Sequence, residues 1–175
     1  MAGDFDSIIA DLQALRRRGL GGERAAYARA VAMAEAALDN AEGADRAGLL
    51  QEKGRLARDV GQRADACAAY AEAAGIWRDL GDRDGLAHAL RHLADMHVED
   101  GDPATARPLI EEAVALLEGA DALTRANGLR VLALCHEGVG LPVREVWLEA
   151  QRLYQQAGID AGVEECARHL NNGAG

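Results

Sequence analysis

The pair His88 and His92 is the pattern in this chain nearest to a metal site. Residues four apart on a helix share a face and can present two imidazoles to one ion. A structural zinc needs further ligands at fixed geometry, and the surroundings offer only Asp84, Asp95 or a distant cysteine. No metal or other cofactor is therefore expected. The adjacent Cys135 and His136 suggest a thiolate pair, but consecutive helical residues point about 100° apart, so packing explains them better. Arg91, Arg130 and Arg168 are more informative, because they recur at equivalent places in successive segments. A column of guanidinium groups suits bidentate capture of carboxylates; pairing of each arginine with a local acid such as Glu137 or Glu165 is the open alternative. Arg16-Arg17-Arg18 closes a helix, where cations complement the negative end of the helix dipole, and is too short a run for a nucleic-acid patch.

No glycine-rich phosphate loop, nucleophile elbow or HExxH motif occurs. The paired acids Glu111-Glu112 and Glu164-Glu165 are neighbours on different helix faces and read as solvated surface. The expectation is a protein that is not an enzyme.

The elements that must position these residues are helices. Among 175 residues, 38 are alanine and only 3% are aromatic, while the apolar fraction of 49% is enough to bury a core. The net charge of −10 is concentrated in residues 61–118, which carry twelve acids against five arginines. A field of that sign repels phosphate backbones and anionic lipid surfaces, so neither nucleic acid nor membrane is an expected partner. No run approaches the ~18 apolar residues of a membrane span, and Asp4 and Asp6 do not fit a secretory leader. Cys67, Cys135 and Cys166 form no close pair and read as buried free thiols in a reducing, cytoplasmic setting.

The chain also repeats itself. Asp82-Arg83-Asp84-Gly85-Leu86 followed by Leu90-Arg91-His92-Leu93 is echoed 77 residues later by Gly162-Val163 and Ala167-Arg168-His169-Leu170, and Asp45-Arg46-Ala47-Gly48-Leu49 is a further copy of the same start. Half of 77 is close to the length of one helix pair. About nine helices are expected, among them Asp6 to Arg18, Glu23 to Asn40, Arg63 to Leu80, Gly85 to Asp100 and Pro103 to Glu118. The first places Phe5, Ile8, Ile9, Leu12 and Leu15 on one face, and Gly19, Gly21 and Gly22 follow it. The second is alanine-rich around Tyr27, Val31, Met33 and Leu38. Asp102-Pro103 opens one helix and Pro142 is expected to open another, whereas Pro108 should kink its helix or delay its start. Tyr70, Trp77, Trp147 and Tyr154 fall at positions facing a neighbouring pair and are expected core fillers.

Leu90, Leu93, Ala94 and Gly101, then Ala106, Ile110 and Ala113, with a second set at Leu129, Leu132, Ala133, Gly140, Val146 and Ala150, resemble the large and small positions of the tetratricopeptide repeat. The period near 40, against the family's usual 34, is similar to that of the long-helix domains of bacterial regulators. The resemblance implies an all-α, right-handed solenoid of stacked antiparallel helix pairs forming a single domain over 1–175. Its parts would be an N-terminal pair (1–44), repeats (45–158) and a C-terminal capping helix (159–172). It also implies a concave groove lined by the first helix of each pair and holding a peptide or protein segment. Placed on the helices, that groove takes His88, Arg91, His92 and Asp95, then Asn127, Arg130 and Leu134, then Arg168, with core positions Leu86, Ala89, Leu90, Leu93 and Ala94 on the adjoining stripe. The expected partner is a protein or peptide, with acidic groups if the arginines carry the binding. The alternatives are a sensor holding a small ligand or metal in the same groove, and a self-associating scaffold in which the helix of Phe5 to Leu12 meets another chain.

Overall fold

Helix-favouring composition and short glycine-marked turns give nine α-helices among the described residues. The computed structural model of the chain describes residues 5–17 and 24–172. The elements are α1 (Phe5–Arg17), α2 (Arg24–Leu38), α3 (Gly43–Asp59), α4 (Arg63–Leu80), α5 (Arg83–Glu99), α6 (Pro103–Leu116), α7 (Ala122–Gly138), α8 (Arg144–Ala157) and α9 (Asp160–Asn172). From α2 onward the connections span two to five residues, too short for anything but antiparallel neighbours. Arg18, Gly19, Gly21 and Gly22, and the side chains of Leu15, Arg17 and Tyr27, lie outside the described residues. The chain gathers into two compact units, Met1–Ala89 and Leu90–Gly175.

In the first unit α1 packs on both α2 and α3, and α3 on α4. Contact between first helices as well as within a pair is the two-layer logic of a helical repeat. Leu12, Leu49, Leu56 and Tyr70 are fully buried there. In the second unit α6, α7, α8 and α9 pack in succession around Leu129, Ala133, Trp147, Ala150, Leu153, Tyr154 and Cys166, with Leu132, Leu134, Val146 and Val163 against them. Leu86, Ala89, Leu90, Leu93 and Ala94 are all buried, as the α5 stripe predicts.

One device recurs with the 77-residue echo. At Gly81 and Gly158 the backbone is left-handed, with φ of 70° and 71°. There the amides of Asp82 and Ile159 reach back to the carbonyls of Trp77 and Tyr154, each at 3.0 Å. This helix stop suits glycine because it has no Cβ to clash. The reversed chain then lays a second glycine on the ring. A Cβ at Gly85 would lie 2.5 Å from Trp77 Cδ2, and one at Gly162 would lie 2.5 Å from Tyr154 Cγ. The repeated glycine is thus a seat for the aromatic side chain of the preceding helix.

Three expectations need correction, and of the two alternatives for Pro108 one is excluded. Pro142 opens no helix: α8 starts at Arg144 behind Val143, leaving Pro142 in the connection. Pro108 does not delay α6, which begins at Pro103 under an Asp102 cap and runs through it; Pro108 is exposed, so its ring faces outward. Trp77 is half-buried, unlike the buried Tyr70, Trp147 and Tyr154, because its ring covers α5 at Gly85 near a helix end. Cys67 is half-buried, whereas Cys135 and Cys166 are buried; all three are free thiols. No helix among the described residues is long and apolar enough to cross a membrane.

Candidate functional site

The helix faces not consumed by the core carry the polar side chains, and each unit has its own set. In the first unit the centre is Glu52 on α3, only 1% exposed. Burying a carboxylate is costly unless donors surround it. Gln13 Nε2 from α1 donates to its Oε1 at 2.9 Å, Arg55 one turn along α3 donates to the same oxygen, and Arg16 Nη1 stands 3.9 Å from Oε2. Arg55 Nη2 also lies 2.6 Å from His88 Nε2 on α5, and Gln51 donates to the carbonyl of Gly85 at 2.9 Å. His88 is therefore part of an α1–α3–α5 network in this unit.

The other expected site residues lie in the second unit. Arg91 Nη2 contacts His92 Nε2 at 2.8 Å, and both are half-buried. Arg130 projects from the middle of α7, where its Nε donates to Glu165 of α9 at 2.8 and 2.9 Å and its Nη1 reaches Asp95 of α5 at 3.4 Å. Burial alone would disfavour its charge; the hydrogen bond to Glu165 and the nearby Asp95 and Glu165 carboxylates outweigh that, so its pKa stands above the ordinary value. Asn127, one turn earlier on α7, accepts from the Tyr154 hydroxyl at 2.8 Å. Leu134 packs against the apolar cluster, and Arg168 is exposed on α9. Asp95, Arg130 and Glu165 are thus brought together, with Arg130 as the link between α5, α7 and α9; Arg168 is placed only by its position on α9.

At the end of this row Glu137 accepts from Trp147 Nε1 at 2.8 Å and faces His169 Nδ1 at 3.0 Å. His169 stacks on the Trp147 indole, with ring centres 4.3 Å apart and planes inclined by 18°. Cys135 and His136 diverge as expected: the thiol points to the carbonyl of Pro103 at 3.1 Å, while His136 Nε2 lies 4.0 Å from Glu111. Burial pushes the Cys166 thiol up to about 11 and raises that of Cys135, the opposite of what a nucleophilic thiolate needs. Among the described residues no three His, Cys, Asp or Glu side chains converge on a common metal position.

Sequence reasoning missed Glu52, Arg55 and Gln13. A usable signal exists: Glu52 stands 37 residues before Ala89 in the aligned repeats, so an acid occupies a core position.

The model of the tetratricopeptide repeat matches residues 45–119. The chain is also similar to the crystal structure of BtubC (BKLC) from P. vanneervenii, with a TM-score of 0.56 at 14% sequence identity over 97% of this chain and 90% of that one. That likeness concerns the fold. No curated protein matches the chain.

Proposed function

We propose, from the tetratricopeptide repeats over residues 45–119, that the chain is a non-enzymatic interaction module that holds a segment of a protein partner along the polar row of its second unit. The observation that carries this reading is the Asp95–Arg130–Glu165 chain of ion pairs, which ties three first helices together under a partly open surface. The Arg130 and Glu165 side chains keep 29% and 25% of their exposure. The cross-link ties α5, α7 and α9, the helices that carry Arg91, Asn127 and Arg168, so their backbones need little reordering when a partner arrives. Arg130 already carries two carboxylates and acts as the cross-link. Arg91, Asn127 and Arg168 are the residues assigned to the partner, the arginines to its carboxylates and Asn127 to its polar groups.

The test uses the full chain as bait in the native host's lysate, identification of the captured protein, and titration calorimetry with that protein in purified form. Combined replacement Arg91→Ala, Asn127→Ala and Arg168→Ala should weaken binding by tenfold or more per lost charge-assisted contact, on the order of 1.5 to 3 kcal/mol each. Helicity should be unchanged. Binding should also weaken with added salt, and Arg29→Ala on α2 should have no effect. Unchanged affinity of the triple variant for the same protein would overturn the assignment.

A further inference from the structure

The polar row leaves a second feature of the same unit unused. A solvent-open cleft of about 230 Å³ is lined by Val114, Ala115, Leu117, Glu118, Arg125 and Leu129 of α6, α7 and the turn between them. Its deeper wall is core: Leu117 and Leu129 are 5% and 8% exposed. It is also firmly set, since a Cβ at Gly128 would lie 2.8 Å from Leu117 Cδ1 and 3.5 Å from Val114 Cγ2. Two charges of opposite sign line the same cleft without pairing with each other. Arg125 Nη2 reaches outward to Glu149 of α8 at 2.9 Å, in a pair whose side chains are 36% and 43% exposed. Glu118 is exposed and enters no ion pair among the described residues. A guanidinium has five N–H donors, so one bond to a solvent-exposed carboxylate leaves most of its capacity available.

An apolar wall with an unmatched anion and cation is complementary to a small molecule carrying the same three features. The volume falls below the ~300–1,000 Å³ of sites for drug-sized ligands, which restricts the occupant to a small molecule. We propose that this cleft binds a free α-amino acid with an apolar side chain, its carboxylate on Arg125, its ammonium on Glu118 and its side chain against Val114, Leu117 and Leu129. The site shares no residue with the row assigned to the protein partner, so either assignment can fail without the other.

The experiment is a titration of the isotope-labelled full chain with L-leucine up to about 10 mM, a range suited to a ligand of so few atoms, read by amide chemical shifts. Saturable changes are expected at residues 114–118 and 125–129. L-Leucinamide, which lacks the carboxylate, and 4-methylpentanoate, which lacks the ammonium, should each bind about tenfold more weakly or less, as should L-leucine to Arg125→Ala and Glu118→Ala. Ala115→Trp, at an exposed helix position, should fill the cleft and abolish binding. Glu149→Ala should preserve binding, which separates loss of the Arg125 contact from loss of its ion pair. Absence of saturable shifts, saturation at other residues, or equal binding of the three compounds would overturn the proposal.

Discussion

Replacing Gly162 by alanine sets two physical effects against each other. Alanine is favoured over glycine in a helix by up to about 1 kcal/mol, and Gly162 lies in the first turn of α9. Against that gain, the new Cβ would stand 2.5, 2.6 and 2.8 Å from three ring atoms of Tyr154. The ring cannot retreat freely: Tyr154 is 3% exposed and its hydroxyl is held by Asn127. Overpacking of this kind costs about 1 to 3 kcal/mol, and disturbing the hydroxyl bond about 0.5 to 1.5 kcal/mol more, so a net loss of about 2 kcal/mol is expected. For a chain of this size the thermal midpoint should drop by roughly 4 to 8 °C. The assay is far-ultraviolet circular dichroism during heating and urea titration, with two comparisons. Gly75→Ala, exposed in the middle of α4 with nothing within 4 Å of its Cβ, should stabilise. In a Tyr154→Ala background Gly162→Ala should cost nothing, because the clash has gone; that coupling is the signature of direct contact. If Gly162→Ala stabilises wild type as Gly75→Ala does, the ring-on-glycine explanation is refuted.

Two further outcomes concern titration. Burial raises the Cys166 thiol from 9.0 to about 11, so its neutral form stabilises the folded chain fully below the ordinary value, and that contribution is lost as pH rises through about 11. Thermal midpoints should therefore fall from pH 9 to 11, less steeply in Cys166→Ala; parallel slopes would contradict the assignment. At the acid end the hydrogen bonds from Thr124 hold the Asp121 carboxyl below its ordinary 3.8. That contribution is present above 3.8 and disappears as pH falls through the lower folded value. Asp121→Asn, which keeps a capping oxygen but cannot titrate there, should flatten the acid limb of a pH-dependent melt.

Features that repeat were legible in the sequence, and features that depend on one residue's surroundings were not. The α4 limits Arg63–Leu80 follow from the apolar stripe and the glycines on either side. The α6 start is visible in Asp102-Pro103 because capping is local chemistry. Pro142 misled for the complementary reason, since proline serves equally well just ahead of a helix and in its first turn. At the candidate row, sequence spacing placed Arg91, Asp95 and Arg130 on a common side of their helices, and named Glu165 as a local acid. It could not show that Arg130 joins Asp95 and Glu165 together, because that depends on how α5, α7 and α9 pack. Glu52 was hidden because an acid in a helix ordinarily points to water. Its burial is intelligible only with Gln13 and Arg55 supplying donors from two elements.

The seating of Trp77 on Gly85 and of Tyr154 on Gly162 spans eight positions in each case and crosses the reversal of the chain. A gene duplication or crossover joined at that reversal would part each ring from its seat and pair it with whatever opened the incoming segment. A joint in the middle of a helix would carry ring, stop and seat together. The heritable block of this architecture is therefore offset from the visible helix pair by half a helix, and chimeras spliced mid-helix should inherit a working fit that chimeras spliced at the bends must find anew.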